Sequence, residues 1–204
     1  MKISLTDFVD FVVASGTSKL TKVRQIKNRP QYQPQFDHWK DLREAVVVYH
    51  AESRPDKVKY FDSFIETVLD EKKKESYRPL IKNYKSFLGK KKCDTHNTEN
   101  ATWKYKTLEV RINPELCISV NGSKRLMKLY FKATPLSKQK VDVILLLMKH
   151  SLPKPEDLAE YALLDVNHNK EYISANPNDA LLPLLYGEAE SFITIWNSLP
   201  EPTE

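Results

Sequence analysis

Glycine is scarce in this chain, with 4 in 204 residues, and cysteine is scarcer, with 2. So few glycines exclude a phosphate-cradling loop or a dinucleotide-binding fingerprint, because both need several glycines at fixed spacing to bring the backbone against phosphate. A Gly-x-Ser-x-Gly nucleophile elbow is also missing. Long apolar runs are absent. The longest aliphatic stretch, Val141 to Met148, is interrupted by Asp142 and falls far short of the roughly 20 residues a membrane helix needs, so no membrane partner is expected. Cys93 and Cys117 alone cannot build a disulfide framework and point to a reducing compartment. Asp7 and Asp10 interrupt the N-terminal stretch where a secretory leader would need an unbroken apolar core, so a cytoplasmic location is expected. On that reading the sequons at Asn100 and Asn121 carry no meaning.

What is present is a mixture of 41% hydrophobic and 29% charged residues, enough to bury a sizeable core. The net charge of +5 conceals a division: residues 1–153 hold 30 basic and 17 acidic side chains, whereas residues 154–204 hold 2 and 10. A basic body with an acidic tail implies either an anionic partner for the body or attraction between the two.

Helical periodicity dominates residues 1–88. Leu5 to Ala14 and Ser18 to Asn28 read as amphipathic helices separated by Ser15-Gly16. The second carries Leu20, Val23 and Ile26 on one side and Lys19, Lys22, Arg24, Lys27 and Arg29 on the other. Pro30 and Pro34 frame an extended Gln-Tyr-Gln segment. A stripe from Phe36 through Trp39, Leu42, Val46 and Tyr49 follows, stopping near Ser53-Arg54-Pro55, and then another from Tyr60 to Leu69. Pro79 fits the first position of a further helix that Gly89 would stop. Residues 89–100 have no apolar pattern and read as a polar, basic linker to an α+β part spanning 101–204.

In that part, every even position from Leu108 to Val120 is apolar, which predicts one half-buried strand bent at Pro114. Asn121-Gly122 predicts a two-residue type I′ hairpin turn. On the return strand the apolar residues are Met127, Leu129 and Phe131, which sets Glu115 opposite Lys128 and Arg111 opposite Lys132. Ser137 is placed to cap a helix that Pro153 and Pro155 end. Ala162 to Val166 reads as a buried strand turning through Asn167-His168-Asn169, and Asp179 as the cap of a long acidic C-terminal helix. The order is β-β-α-β-β-α, an α+β arrangement with an antiparallel hairpin behind a helical N-terminal part.

Asp165-x-Asn167-x-Asn169 opens like a calcium loop, but Lys170 and Asn176 stand where glycine and glutamate belong, leaving an Asn-rich turn. Cys93, Asp94 and His96 lack a second Cys/His pair at zinc spacing, so no metal or other cofactor is expected there. Pro114-Glu115 with Leu126-Met127-Lys128 resembles a damaged PD-(D/E)xK nuclease motif, in which two carboxylates hold Mg²⁺ and a lysine orients the attacking water. Leu126 occupies the place of the second carboxylate. Under that reading alone Glu115 and Lys128 would be catalytic and Mg²⁺ the cofactor; otherwise the two are a stabilising cross-strand pair.

The basic clusters carry the principal expectation. Lys19, Lys22, Arg24, Lys27 and Arg29 form one group, Lys72-Lys73-Lys74 another at a helix end, and Lys90-Lys91-Lys92 a third. Such patches bind phosphate backbones, and Tyr32, Tyr77 and Tyr84 would supply stacking surfaces. The competing explanation is that the lysines complement helix dipoles and the tyrosines are core. The sequence therefore points to a non-catalytic, nucleic-acid-associated or regulatory binding protein. The alternatives are an interaction subunit that docks an acidic tail on a protein partner and a divergent Mg²⁺-dependent nuclease.

Overall fold

The computed structural model describes residues 1–30, 37–52, 56–154 and 157–201. In chain order these form β1 (Lys2–Ser4), α1 (Leu5–Val12), α2 (Thr17–Lys27), α3 (Lys40–Ala51), α4 (Lys57–Thr67) and α5 (Glu71–Leu88). Next come β2 (Cys93–His96), β3 (Ala101–Tyr105), β4 (Leu108–Ile112), β5 (Leu116–Val120) and β6 (Ser123–Tyr130). α6 (Lys138–Ser151), β7 (Glu160–Asp165), β8 (Lys170–Ser174), a single 3-10 turn (Asp179–Leu181) and α7 (Leu182–Ser198) complete the order. The class is α+β with an N-terminal helical part, as expected. Among the described residues no helix is long and apolar enough to cross a membrane.

The larger sheet has five strands in the order β2-β5-β6-β7-β8. It is antiparallel except between β6 and β7, which run parallel and are joined by α6 as the crossover helix such a pair requires. Side chains alternate across a strand, and here both faces are covered. Cys117, Leu126, Tyr130, Tyr161 and Leu163 pack into one core with α1, α6 and α7. Leu116, Ile118, Met127, Leu129 and Leu164 pack into a second core with α3, α4 and α5. Burial on both sides explains why β7 carries a continuous apolar run, Tyr161 to Leu164, rather than an alternation.

The hairpin turn is as predicted: Val120 pairs with Ser123, and Asn121 (φ 51°) and Gly122 (φ 87°) both take the left-handed conformation a type I′ turn demands. The single strand expected over 108–120 is instead two strands in different sheets. The chain leaves a three-stranded sheet, ordered β1-β4-β3, and enters the larger one across Asn113 and Pro114. Leu108, Val110 and Ile112 face the first core, whereas Leu116, Ile118 and Val120 face the second. The even-numbered pattern survives only because the switch preserves parity. Arg111 consequently lies beside Thr102 and Ser4 rather than opposite Lys132, which pairs with Asp10 at 3.2 Å.

Residues 89–100 contain β2, an edge strand paired antiparallel with β5, and β1 joins β4 in parallel, so the two ends of the chain build one core together. Pro79 lies inside α5 and does not start it. Lys72-Lys73-Lys74 stand in the first turn of that helix rather than ending the previous one; Asp70 caps it by accepting from the N–H groups of Lys72 and Lys73 at 2.9 and 3.1 Å. Leu69, beyond the end of α4, is 94% exposed instead of continuing its apolar stripe. Ser137 caps α6 as expected, accepting from the N–H of Lys140 at 3.3 Å. The C-terminal helix is different. Asn178 caps the 3-10 turn before it, and Asp179 accepts from Lys149 and His150 at 2.7 Å each. Expectations placed on Tyr32, Pro34, Phe36, Ser53-Arg54-Pro55 and Pro155 fall outside the described residues.

Candidate functional site

The basic groups singled out from the sequence do not merge into one patch. Lys19 of α2 reaches Glu188 of α7 at 2.7 Å, and Arg29, just beyond α2, forks both oxygens of Asp7 at 2.9 and 2.8 Å. Lys27 is buried and donates to the carbonyls of Trp196 and Leu199 and to Glu201. Lys73 pairs with Asp41 at 2.9 Å and Lys74 with Glu66 at 3.4 Å, while Lys91 lies 3.6 Å from the ring centroid of Phe87. Lys22, Arg24, Lys72, Lys90 and Lys92 carry no side-chain ion pair among the described residues. The groups around 72–74 and 90–92 flank the two ends of α5, whose 18 residues make it about 27 Å long. The first core holds Val23 of α2 and the second holds α5, so the five-stranded sheet separates α2 from the other two groups. Tyr77 and Tyr84, 0% and 1% exposed, are core and offer no stacking surface.

Much of the body's charge meets the tail. Besides the contacts of Lys19 and Lys27, Lys124 pairs with Asp157, Arg125 with Glu160 and Glu171, Lys149 with Asp179, and Lys106 with Glu190. Most of the tail's carboxylates are thus paired with the body within the molecule.

One concave region retains an excess of cations. A cleft of about 750 Å³ is lined by Lys2, Ser4, Leu5, Thr6, Asp7, Arg29, Asp37, Arg43, Asn100, Ala101, Thr102, Arg111, Ile112, Asn113 and Lys128, five cations against two carboxylates. Its geometry follows from local structure. Ser4 ends β1 and at once caps α1, its hydroxyl accepting from the N–H of Asp7 at 3.1 Å, so the helix N-terminus opens at the edge of the small sheet. The register of β1, β4 and β3 puts Ser4, Arg111 and Thr102 side by side. Carboxylates position three of the cations: Asp7 holds Arg29, Asp37 holds Arg43 at 3.2 Å, and Glu115 holds Lys128. Burial pushes the Asp7 carboxyl up, but hydrogen bonds from Arg29 and Ser4 outweigh it and keep it below the usual carboxylate value. Arg111 has no side-chain partner among the described residues and is exposed. Positive potential from the α1 N-terminus adds to these charges. Free donors in a fork beside a helix N-terminus are suited to a phosphate or carboxylate oxygen.

Glu115 and Lys128 do face each other and are hydrogen-bonded at the floor of this region. Glu115 also accepts from the N–H of Leu129 at 2.7 Å and lies 3.5 Å from Arg43 Nε, while Lys128 donates to the carbonyl of Asn113 at 2.9 Å. Both carboxylate oxygens therefore already have donors. Leu126, where the nuclease motif would need its second acid, is 3% exposed in the core. Among the described residues no three His, Cys, Asp or Glu side chains are placed to share a metal ion. Cys93 lines a second cavity, of about 670 Å³, with Tyr49, His50, Lys57 and Lys91, and burial raises its thiol pKa; His96 instead faces the Ser119 hydroxyl at 2.7 Å.

Of the basic residues chosen from the sequence as nucleic-acid contacts, the cleft contains Arg29 alone; Lys128 enters it from the nuclease reading, and Lys2, Arg43 and Arg111 were not foreseen. These residues come from segments far apart in the chain, so no local spacing announces them. The one available signal was Arg111, a charge that recurs between apolar positions on the polar side of a strand. No protein-family model matches the chain, and no curated protein matches it.

Proposed function

We propose that the protein is a non-catalytic, nucleic-acid-associated binding protein that takes hold of phosphate in the cleft between the N-terminus of α1 and the hairpin. The observation that supports this is the excess of cations lining one cleft, the unpaired Arg111 among them. Each phosphate neutralised by a bound cation lowers the logarithm of the affinity for a single strand by about 0.7 per tenfold increase in salt. The test is equilibrium binding of single- and double-stranded oligonucleotides over a series of salt concentrations. Retention at low salt that weakens steeply as salt rises is expected, and Arg111→Ala should reduce the salt slope by about 1. Affinity that ignores salt, or no retention at low salt, would sink the reading.

A second reading, the divergent Mg²⁺-dependent nuclease, is favoured by one observation: Glu115 faces Lys128 across the hairpin with α6 following β6. It requires an incoming cation to displace Lys128 and Arg43 from the Glu115 carboxylate. Cleavage that depends on Mg²⁺ and disappears in Glu115→Ala and Lys128→Ala would establish it, and intact substrate after prolonged incubation with Mg²⁺ would remove it.

A further inference from the structure

We infer that the cleft is a phosphomonoester pocket, filled by the terminal phosphate of a strand or by a free nucleotide, rather than a track for a continuous backbone. The inference deepens the phosphate-binding reading above and rests on it. A backbone track needs cations spread along many phosphates, since a duplex presents one charge about every 1.7 Å of its axis. The basic groups outside the cleft lie on opposite sides of the five-stranded sheet and at the two ends of α5, and so cannot form such a track. Five cations are instead gathered around one hollow of about 750 Å³, a volume typical of small-molecule sites.

The charge balance of the hollow points the same way. A backbone diester brings one negative charge, whereas a monoester brings about 1.5 to 2 near neutral pH and three terminal oxygens. Arg29 and Arg43 are already partly neutralised by Asp7 and Asp37, and Lys128 by Glu115. What remains for a ligand is the whole Arg111 guanidinium and the first-turn N–H groups of α1 other than that of Asp7, which donates to Ser4, while Lys2 is shared with Glu109 at 4.0 Å. A planar fork of donors beside a helix N-terminus engages several oxygens of one phosphoryl group at once. Thr102 and Asn113 add neutral hydrogen-bonding groups around the same space.

The test uses the full-length protein and short single-stranded oligonucleotides of one sequence bearing a 5′-phosphate, a 3′-phosphate or hydroxyls at both ends. A phosphorylated end should bind about tenfold or more tightly than the hydroxyl form, a difference of 1.4 kcal/mol. Arg111→Ala, an exposed position whose truncation leaves the core intact, should erase that difference, and Arg111→Lys should restore part of it. A nucleoside 5′-monophosphate supplied as competitor separates the two sources. Competition as effective as that of the phosphorylated strand supports the pocket with a free nucleotide as its ligand, and competition at least about tenfold weaker supports the strand end. Equal affinity for all three oligonucleotides overturns the inference and leaves the nucleic-acid reading standing. No binding of any oligonucleotide or of the monophosphate at low salt overturns both.

Discussion

Lys27, in the last turn of α2, donates to the main-chain carbonyls of Trp196 and Leu199 at 3.1 and 2.9 Å, closing the C-terminus of α7 with a buried cation. A helix ends with carbonyls that have no intrahelical donor and with the negative end of its dipole, and an ammonium satisfies both. The third partner, Glu201, is 85% exposed at its side chain and contributes little by comparison. This contact, with Lys19–Glu188 about two turns away along α2, holds the acidic end of the chain against its basic beginning.

Replacing Lys27 by methionine keeps the aliphatic stem and removes the donor, taking from the half-buried Leu199 carbonyl its ammonium partner and leaving that of Trp196 only the Leu199 N–H at 3.4 Å. A loss of about 1–3 kcal/mol in urea denaturation is expected, whereas Glu201→Gln should cost under about 1 kcal/mol. Equal effects from the two substitutions would show that the Glu201 ion pair, not the helix cap, holds the tail.

Glu115 and Lys128 allow a sharper energetic test because each is the other's charged partner in a nearly dry site. Glu115→Ala leaves Lys128 beside Arg43 without the shared carboxylate and should cost about 3–5 kcal/mol, whereas Lys128→Ala leaves the carboxylate with Arg43 and the Leu129 N–H and should cost less. In the double variant Glu115→Ala/Lys128→Ala neither member of the pair is left facing an absent partner, so its loss should fall short of the summed single losses by about 1–3 kcal/mol. Strict additivity in chemical denaturation would mean that the two side chains act independently. The same singles serve the nuclease reading, provided cleavage is measured where the variants remain folded.

The Asn121-Gly122 turn is the most local determinant of the hairpin and the easiest to perturb alone. Gly122 has φ 87°, and an added Cβ there meets no neighbouring atom, so only backbone strain opposes a side chain. Gly122→Ala should cost about 1–2 kcal/mol, read as a lowered midpoint with an unchanged denaturant slope. A loss much larger than this would point to disruption of the β5–β6 register rather than local strain.

That turn was legible because its chemistry is contained in two residues. Pro114 hid a change of sheet because β4 and β5 place their inward residues on the same parity. β2 was invisible: Cys93 to His96 is an edge strand held by backbone pairing to β5, and a polar edge has no apolar alternation to display. Pro79 misled because tertiary packing of Tyr77, Leu80, Ile81 and Tyr84 carries α5 through a residue that ordinarily starts a helix. The cleft was the least legible of all. Arg111 and Arg43 meet Ser4 only after β1 has paired with β4, and the sequence gives no hint of that parallel pairing of three residues at the N-terminus.

Acid sensitivity should be set in its first stage by His50. Its ring is 4% exposed in the last turn of α3 and its Nε2 lies 2.7 Å from the Tyr84 hydroxyl, which is itself fully enclosed. Burial pushes the imidazole down from 6.5 to about 4. Between those values the unfolded chain binds a proton that the folded protein refuses, so stability falls as pH drops from about 6.5 to about 4, by up to about 3 kcal/mol in total. Asp7 and Asp10 act in a different window. For each, burial raises the carboxyl but hydrogen bonds from neighbouring cations win, so their folded values lie below 3.8 and their contribution is lost only as pH falls past that point. His50→Gln retains a hydrogen-bonding group toward Tyr84 without the titration. Thermal midpoints measured from pH 7 to 4 should slope downward in the native protein and run nearly flat in that variant; a parallel slope in both would assign the acid sensitivity to other groups.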